Sequence, residues 1–228
     1  MVLLNQFLKK KSYDQDITNY RQISFLTSFT KVIEKLTYAR LLDHITTNSI
    51  LFNEQYEFRI WYSNEQASFS LITNILKAMN NNLKLGGIFC DLIKAFACVN
   101  HKILLDKLDF YGTEGTFKTL IESYLTCRYQ KVILNNNDNT NSSSKWELIK
   151  NGVPQSSILA PLFLLLYIND LPKIITKNNS TVLFADDTSL LKTDFNDLDF
   201  NININQSFRN IISWFNSKLL ILHFNKAH

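Results

Sequence analysis

An α+β fold is predicted by the order of hydrophobic patterns along this 228-residue chain. Two long segments in its first third repeat apolar residues at three- and four-residue steps, which is typical of amphipathic helices. Short apolar runs that end at acids or polar turns follow, and these are typical of strands. Because helices and strands do not alternate regularly, the pattern favours a mixed fold over a regular β-α alternation.

The composition is that of a folded protein, with 46% hydrophobic and 19% charged residues, so bulk disorder is excluded. The net charge of +4 permits a polyanionic partner without requiring one. Three cysteines without a C-x-x-C unit and the lack of a secretory segment predict an intracellular protein, in the cytoplasm or nucleus. The longest apolar stretch, residues 158–168, is too short to span a bilayer, so no membrane partner is expected.

The first two elements are helices. One is predicted over residues 28–48, with an apolar face that comprises Phe29, Val32, Ile33, Leu36, Leu42 and Ile45. The second begins at Ser63, where Gln66 has the spacing of a capping box. Its predicted apolar face comprises Ala67, Leu71, Ile75 and Met79.

A buried strand is predicted at residues 88–90, after two glycines and directly before Asp91. A helical stretch over roughly 94–110 follows. The segment 135–145 is almost purely polar and predicts an exposed loop. Because it lies between two β-rich runs, 131–134 and 146–149, a hairpin with a long tip is expected.

The last part of the chain begins with the apolar stretch already described, which is interpreted as a buried helix. Residues 181–191 form two apolar arms around Asp186-Asp187, a pattern that predicts a hairpin turning at the acids. A further helix is predicted over 204–215, followed by a short strand near 219–224.

Three carboxylates stand out because each follows or interrupts an apolar strand: Asp91, Asp186 and Asp187. Burying such groups costs desolvation energy unless a cation or hydrogen bonds compensate. Mg²⁺ prefers carboxylate, water and phosphate oxygens, and two such ions promote phosphoryl transfer. The residues alone leave a second interpretation open, in which Asp186-Asp187 is only a turn and Asp91 a helix cap.

The order of short motifs around these acids resembles that of a known family. Residues 91–96, Gly152-Val153-Pro154-Gln155 and Phe184-Ala185-Asp186-Asp187 resemble the palm motifs of reverse transcriptases, particularly those of jockey-type non-LTR retrotransposons. The resemblance extends to further segments along the chain: residues 19–24, 55–59, 167–172, Trp214-Phe215 and Lys226.

The resemblance implies a right-hand polymerase, with fingers over residues 1–85, a palm over 86–228 that contains a small antiparallel sheet, and no thumb. The implied activity is that of an RNA-directed DNA polymerase, which adds deoxynucleotides to a primer 3′-hydroxyl by two-metal phosphoryl transfer. Its cofactors would be two Mg²⁺ ions, with Mn²⁺ as a substitute. Its partners would be an RNA template, a DNA primer and deoxynucleoside triphosphates. The alternative is an inactive retrotransposon remnant that binds nucleic acid weakly.

By the same resemblance, Asp91 and Asp186 would hold the metal ions, and Asp187 would complete the acidic cluster. The backbone carbonyl of Leu92 would complete a metal shell. Lys226 would protonate the pyrophosphate leaving group, although a lysine near the end of the chain also has a purely structural explanation.

Four further residues are implied to contact the nucleotide or template. Phe96 matches the position that excludes or admits a 2′-hydroxyl, and its alternative is a plain core residue. Gln155 would contact the template or the incoming nucleotide. Arg21 and Arg59 would neutralise phosphates, or would instead form surface ion pairs.

The chain departs from the family pattern at several motif positions. Ala97 stands where a second aspartate is usual, and Glu57, Ser156 and Ala160 stand where glycine is usual. Ser156 is the most serious of these, because a Cβ there would block the substrate or strain the backbone by about 1–3 kcal/mol. These departures are the basis of the inactive-remnant alternative.

Overall fold

The structure is a computed structural model that describes residues 2–8, 20–135, 141–174 and 179–223. The strands in these ranges are β1 (Val2–Leu8), β2 (Tyr20–Phe25), β3 (Lys84–Asp91), β4 (Tyr129–Asn135), β5 (Asn141–Ser143), β6 (Glu147–Leu148), β7 (Asn179–Phe184) and β8 (Asp187–Asp194). The helices are α1 (Ser28–Thr47), α2 (Asn64–Asn80), α3 (Ala95–Cys98), α4 (His101–Phe110), α5 (Gly115–Thr126), α6 (Ala160–Ile168), α7 (Leu171–Ile174) and α8 (Asp197–Ser217).

Two sheets organise the described chain. The first is antiparallel with the strand order β3-β8-β7, and α2 and α8 pack against it. The second has the order β2-β1-β4-β5, with β6 also paired to β4. Only its β1–β4 pair is parallel. The mixed α+β fold predicted from the sequence is therefore confirmed.

Helix α6 forms the centre of the core. Every side chain in it except Pro161 is buried, as the apolar stretch predicts. Tyr167 reaches out of this helix to donate its hydroxyl to the carbonyl of Lys218 at 2.6 Å, which connects α6 to the end of α8. None of the helices in the described ranges is long and apolar enough to cross a membrane.

The orientation predicted for the first half of α1 is wrong. Phe29, Val32 and Leu36 are 75%, 58% and 65% exposed. Glu34 and Thr37 occupy the inner face instead, and Glu34 is fully buried. The reason is that the Glu34 carboxylate binds hydrogen-bond donors at the start of α6, which holds this polar side inward.

Helix α2 begins as predicted. Ser63 and Gln66 form the reciprocal capping box, and Ala67 is buried. Near the end of the helix the buried residue is Ala78, whereas Met79 is 61% exposed. The predicted inner face is therefore correct at its start and wrong at Met79.

The remaining elements follow the sequence with three differences. The helix predicted over 94–110 is broken, because Asn100 accepts a hydrogen bond from the Ile103 N–H at 3.1 Å and begins α4. Strands β1, β2 and β5 and helices α5 and α7 were not predicted. The strand predicted near 219–224 is only a bridge between Leu92 and Leu222.

The two predicted hairpins are present. Strand β4 pairs with β5 and β6. The loop predicted over 135–145 is wrong in part, because residues 141–143 form β5 and pair with β4, and residues 136–140 lie outside the described residues. Strands β7 and β8 form the hairpin around the paired acids.

Candidate active site

Strand pairing brings two of the predicted acids together. Asp91 ends β3 and Asp187 begins β8, and the two residues are direct partners in the antiparallel ladder. Directly opposite residues place their side chains on the same face of a sheet, with Cβ atoms about 4.5–5.5 Å apart. The residue opposite Asp91 is thus Asp187, and Asp186 lies one position away in the turn.

The turn that carries Asp186 is strained. Phe184 pairs with Asp187, so Ala185 and Asp186 form a two-residue hairpin loop. Ala185 has a φ of 50°, in the region where glycine is favoured at the first position of such loops. An alanine in this region costs about 1–2 kcal/mol, and backbone strain of this kind concentrates at functional sites.

A fourth carboxylate, Glu57, lies near the turn. Burial, together with the charges of Asp186 and Asp187, raises the pKa of the Glu57 carboxyl above its usual value. Backbone hydrogen bonds hold its segment against β7, from the Tyr56 N–H to the Leu183 carbonyl at 2.9 Å and from the Leu183 N–H to the Glu54 carbonyl at 2.8 Å. The sequence signalled Glu57 only as a departure from a glycine motif position.

The donor chemistry of this cluster fits a hard divalent cation. The side chains of the cluster are carboxylates, and a bound cation reduces the repulsion between like charges this close together. Within the described ranges, no group of three or more histidine, cysteine, aspartate or glutamate side chains is already arranged to hold a metal ion. Mg²⁺ takes much of its coordination shell from water and substrate phosphates.

The backbone next to Asp91 is fixed by the segment after α8. The His223 N–H donates to the Asp91 carbonyl at 2.9 Å, and the Ile93 N–H donates to the Ile221 carbonyl at 2.8 Å. Leu92 lies between these bonds as a non-hydrogen-bonded partner of Leu222, so its own carbonyl is directed away from that segment. This is the carbonyl that the sequence resemblance assigns to a metal shell.

Phe96 and the Gln155 turn are held next to each other. The Val153 N–H donates to the Phe96 carbonyl at 2.8 Å, and the Gly152 N–H donates to the Val99 carbonyl at 2.7 Å. Gln155 is exposed in the turn that follows. Phe96 is half-buried, so it is neither a fully enclosed core residue nor a free surface ring.

Gly152 is the glycine on which this arrangement depends. Its φ is +85°, and an added Cβ would lie 2.8 Å from the carbonyl oxygen of Ala97. Only glycine allows this approach without displacing the backbone. Ala97 therefore lies directly under the turn, at the position where the family usually has an aspartate.

The Gln155 turn is also attached to the N-terminal elements. Ser156 donates its hydroxyl to the carbonyl of Ser24 in β2. The φ angle of Ser156 is not positive. The backbone strain expected for a Cβ at this position is therefore absent. Ala160 is fully buried at the start of α6, where its methyl group packs into the core.

Glu34 forms the second attachment of this turn. Its carboxylate accepts hydrogen bonds from the Ile158 N–H and the Ser157 hydroxyl, both at 2.9 Å, and from the Tyr124 hydroxyl. Arg128 lies over the Tyr124 ring and donates to its hydroxyl at 3.2 Å. Sequence reasoning missed this buried cluster, because a lone glutamate in a helix gives no signal of burial.

The predicted basic residues are placed as follows. Arg59 donates to the carbonyls of Phe52 and Gln55, at 2.7 and 3.1 Å, and its guanidinium lies over the Tyr62 ring. Arg21 lies in β2, two residues before Ile23, and is paired with β1. Lys226 and the basic run at residues 9–11 lie outside the described residues.

The sequence matches the reverse transcriptase (RNA-dependent DNA polymerase) family over residues 8–228. Among curated proteins, a probable RNA-directed DNA polymerase from the Drosophila melanogaster transposon BS is 32% identical over 68% of this chain. The RNA-directed DNA polymerase of the D. melanogaster mobile element jockey is 30% identical over 77% of this chain. The chain spans 16% and 19% of the lengths of these relatives.

Solved structures show the same fold at low identity. Telomerase from Candida tropicalis in complex with a TWJ fragment of telomeric RNA matches with a TM-score of 0.64 at 11% identity, covering 92% of this chain and 39% of that one. Telomerase from Candida albicans, also with a TWJ fragment, matches with a TM-score of 0.60 at 12% identity, covering 100% and 41%. The family match and the mobile-element relatives show that the chain belongs to the reverse transcriptase family, as a reverse transcriptase domain of the non-LTR retrotransposon type.

Proposed function

We propose that this domain is an RNA-directed DNA polymerase that adds deoxynucleotides to the 3′-hydroxyl of a primer paired to an RNA template. The observation that carries the proposal is the pairing of Asp91 with Asp187 at the Asp186 turn, in a chain of the reverse transcriptase family. The RNA-bound state of the telomerase structural neighbours supports a nucleic-acid template. In this proposal, residues 1–85 are the fingers and residues 86–228 the palm.

In the proposed reaction, the primer 3′-oxygen attacks the α-phosphorus of the incoming triphosphate, and pyrophosphate leaves. Asp91 and Asp186 would hold two Mg²⁺ ions, and Asp187 and the Leu92 carbonyl would complete the site. Bound Mg²⁺, or Mn²⁺ in its place, lowers the pKa of the attacking hydroxyl and stabilises the leaving oxygen. Lys226 gives a proton to the leaving pyrophosphate.

The other proposed contacts orient the nucleotide. Phe96 lies beside the sugar and discriminates against a 2′-hydroxyl, and Gln155 contacts the template or the nucleotide from its exposed turn. Arg21 and Arg59 neutralise phosphates. Arg59 uses one terminal nitrogen for its two backbone carbonyls, so the geometry of the guanidinium is fixed before any phosphate arrives.

Extension of a DNA primer on a defined RNA template tests the proposal. The chain is incubated with Mg²⁺ and each deoxynucleotide singly, and the added nucleotide must follow the template base. A second protein carries the helical thumb of a jockey-type relative fused after residue 228, which adds duplex contacts. Failure of both proteins to add the templated nucleotide refutes the proposal.

One observation favours an inactive remnant that binds RNA weakly. Glu57 places a further carboxylate beside Asp186 and Asp187, where a triphosphate would bring more negative charge. On this alternative, the wild type binds RNA without extending the primer, and Asp186→Asn leaves RNA affinity unchanged. Glu57→Gly starts templated extension only if the charge of Glu57 is what blocks the site. Templated extension by the wild type would contradict it.

A further inference from the structure

One loop next to the candidate active site is fixed at several points. This anchored loop, residues 52–62, begins where the Phe52 N–H and the Gln55 side-chain amide both donate to Asn169 Oδ1 at 3.0 Å. Gln55 also donates to the Leu165 carbonyl at 3.0 Å and bridges to Leu183 of β7. The loop is therefore attached both to the core helix α6 and to the hairpin that carries the acids.

Within the anchored loop, Arg59 limits the backbone further. It binds the Phe52 and Gln55 carbonyls and lies 4.0 Å from the centre of the Tyr62 ring. The residue that these contacts surround is Phe58, which has a φ of 57°. A bulky residue in the left-handed region persists only where its surroundings enforce it, and such residues concentrate at functional sites.

The constrained Phe58 side chain is directed at Phe96. The two rings are edge to face, with centroids 6.3 Å apart and an angle of 65° between their planes. Phe58 is 38% exposed and Phe96 is half-buried, so the pair lines an open surface and is not enclosed in the core. An edge-to-face pair restricts the orientation of both rings.

We propose that Phe58 is a specificity-determining positioning residue, which holds the Phe96 ring in place so that the site discriminates deoxyribonucleotides from ribonucleotides. This inference rests on the proposed function, because it assumes that the sugar of the triphosphate lies beside Phe96. Phe58 acts through Phe96 and makes no contact with the reacting atoms. Its strained backbone fixes where its ring can be, which a flexible residue would not do.

Binding of dUTP and UTP, which differ only at the 2′ position, opposite a template adenine tests the inference. The primer ends in a dideoxynucleotide, so that affinity is measured without chemistry. Phe58→Gly is the main variant, because glycine accepts the positive φ and keeps the loop foldable. Phe58→Tyr keeps the ring, and Phe110→Ala removes a comparable edge-to-face partner, that of Tyr111 at 5.4 Å, on a different helix.

The expected result is that Phe58→Gly lowers the UTP-to-dUTP ratio of dissociation constants by about two- to tenfold. Phe58→Tyr and Phe110→Ala keep the wild-type ratio. On an extendable primer, the loss of discrimination appears as a lower KM for UTP, with kcat for dUTP unchanged. An unchanged ratio in Phe58→Gly overturns this inference and leaves the polymerase proposal standing, whereas a wild type that binds neither triphosphate overturns both.

Discussion

Replacing Glu34 tests the buried cluster that connects α1 to the Gln155 turn. Glu34 is fully buried, and its carboxylate accepts from the Ile158 N–H, the Ser157 hydroxyl and the Tyr124 hydroxyl. Hydrogen bonds to a charged group contribute about 1.5–3 kcal/mol each, and a stranded buried donor costs about 1–3 kcal/mol. After Glu34→Ala, Tyr124 and Ser157 still bond each other at 2.8 Å, so the losses are less than additive.

The expected loss for Glu34→Ala is therefore about 3–5 kcal/mol of the free energy of unfolding. Glu34→Gln keeps one accepting oxygen and turns an N–H toward a donor, so its loss is about 1–2 kcal/mol. Urea denaturation measures both, and the melting temperature of Glu34→Ala should fall by about 10 °C at this chain length.

The control is Glu122→Ala, which removes an exposed glutamate from α5 and should change stability by less than about 0.5 kcal/mol. A loss below about 1 kcal/mol for Glu34→Ala would refute the argument, since no buried donor could then depend on this carboxylate. Loss of equal size in both variants would likewise show that burial at position 34 does not matter.

Three other substitutions test separate parts of the structure. Gly152→Ala should lower the free energy of unfolding by about 2–4 kcal/mol, because its φ is positive and its Cβ meets the Ala97 carbonyl. Gly115→Ala, which has a positive φ but open space around the new Cβ, should lower it by only about 1–2 kcal/mol. Equal losses in urea denaturation would contradict the clash. Burial lowers the pKa of Lys107 from 10.5 to about 8, so between these pH values the unfolded chain binds more protons than the folded chain. As the pH increases over this range, the stability of the wild type should therefore rise relative to that of Lys107→Met. Parallel curves of stability against pH for the two proteins would be the contrary result. Glu57→Gln should raise the melting temperature in metal-free buffer at pH 7, because it removes charge repulsion at the acid turn; a lower melting temperature would count against that repulsion.

Local features of the fold were predictable from the sequence. The Ser63 capping box and the hairpin around Asp186-Asp187 were both predicted, and both depend on residues close together in the chain. The same holds for the strand that ends at Asp91. Turn chemistry and short apolar runs are local signals, and local signals survive folding.

Long-range contacts were not predictable. Glu34 is buried on the polar side of α1 because its partner Ser157 lies 123 residues later in the chain. Only the family resemblance implied that Asp91 and Asp187 come together, because their pairing is a matter of register between distant strands. Glu57 comes near the acids only because its loop bridges to β7. Periodicity within one element carries no information about such partners, so the inner face of α1 was assigned to the wrong residues.

The rate of single-nucleotide addition by Asp186→Asn, on an RNA template with Mg²⁺, directly tests whether Asp186 belongs to a polymerase active site. The matched control is Asp199→Asn, which neutralises an exposed aspartate in the first turn of α8. We expect templated addition by the wild type and by the control. For Asp186→Asn, we expect the rate to fall by more than about 100-fold, which is beyond the range typical of residues that only orient a metal ligand. An Asp186→Asn protein that adds the templated nucleotide at the wild-type rate would contradict it.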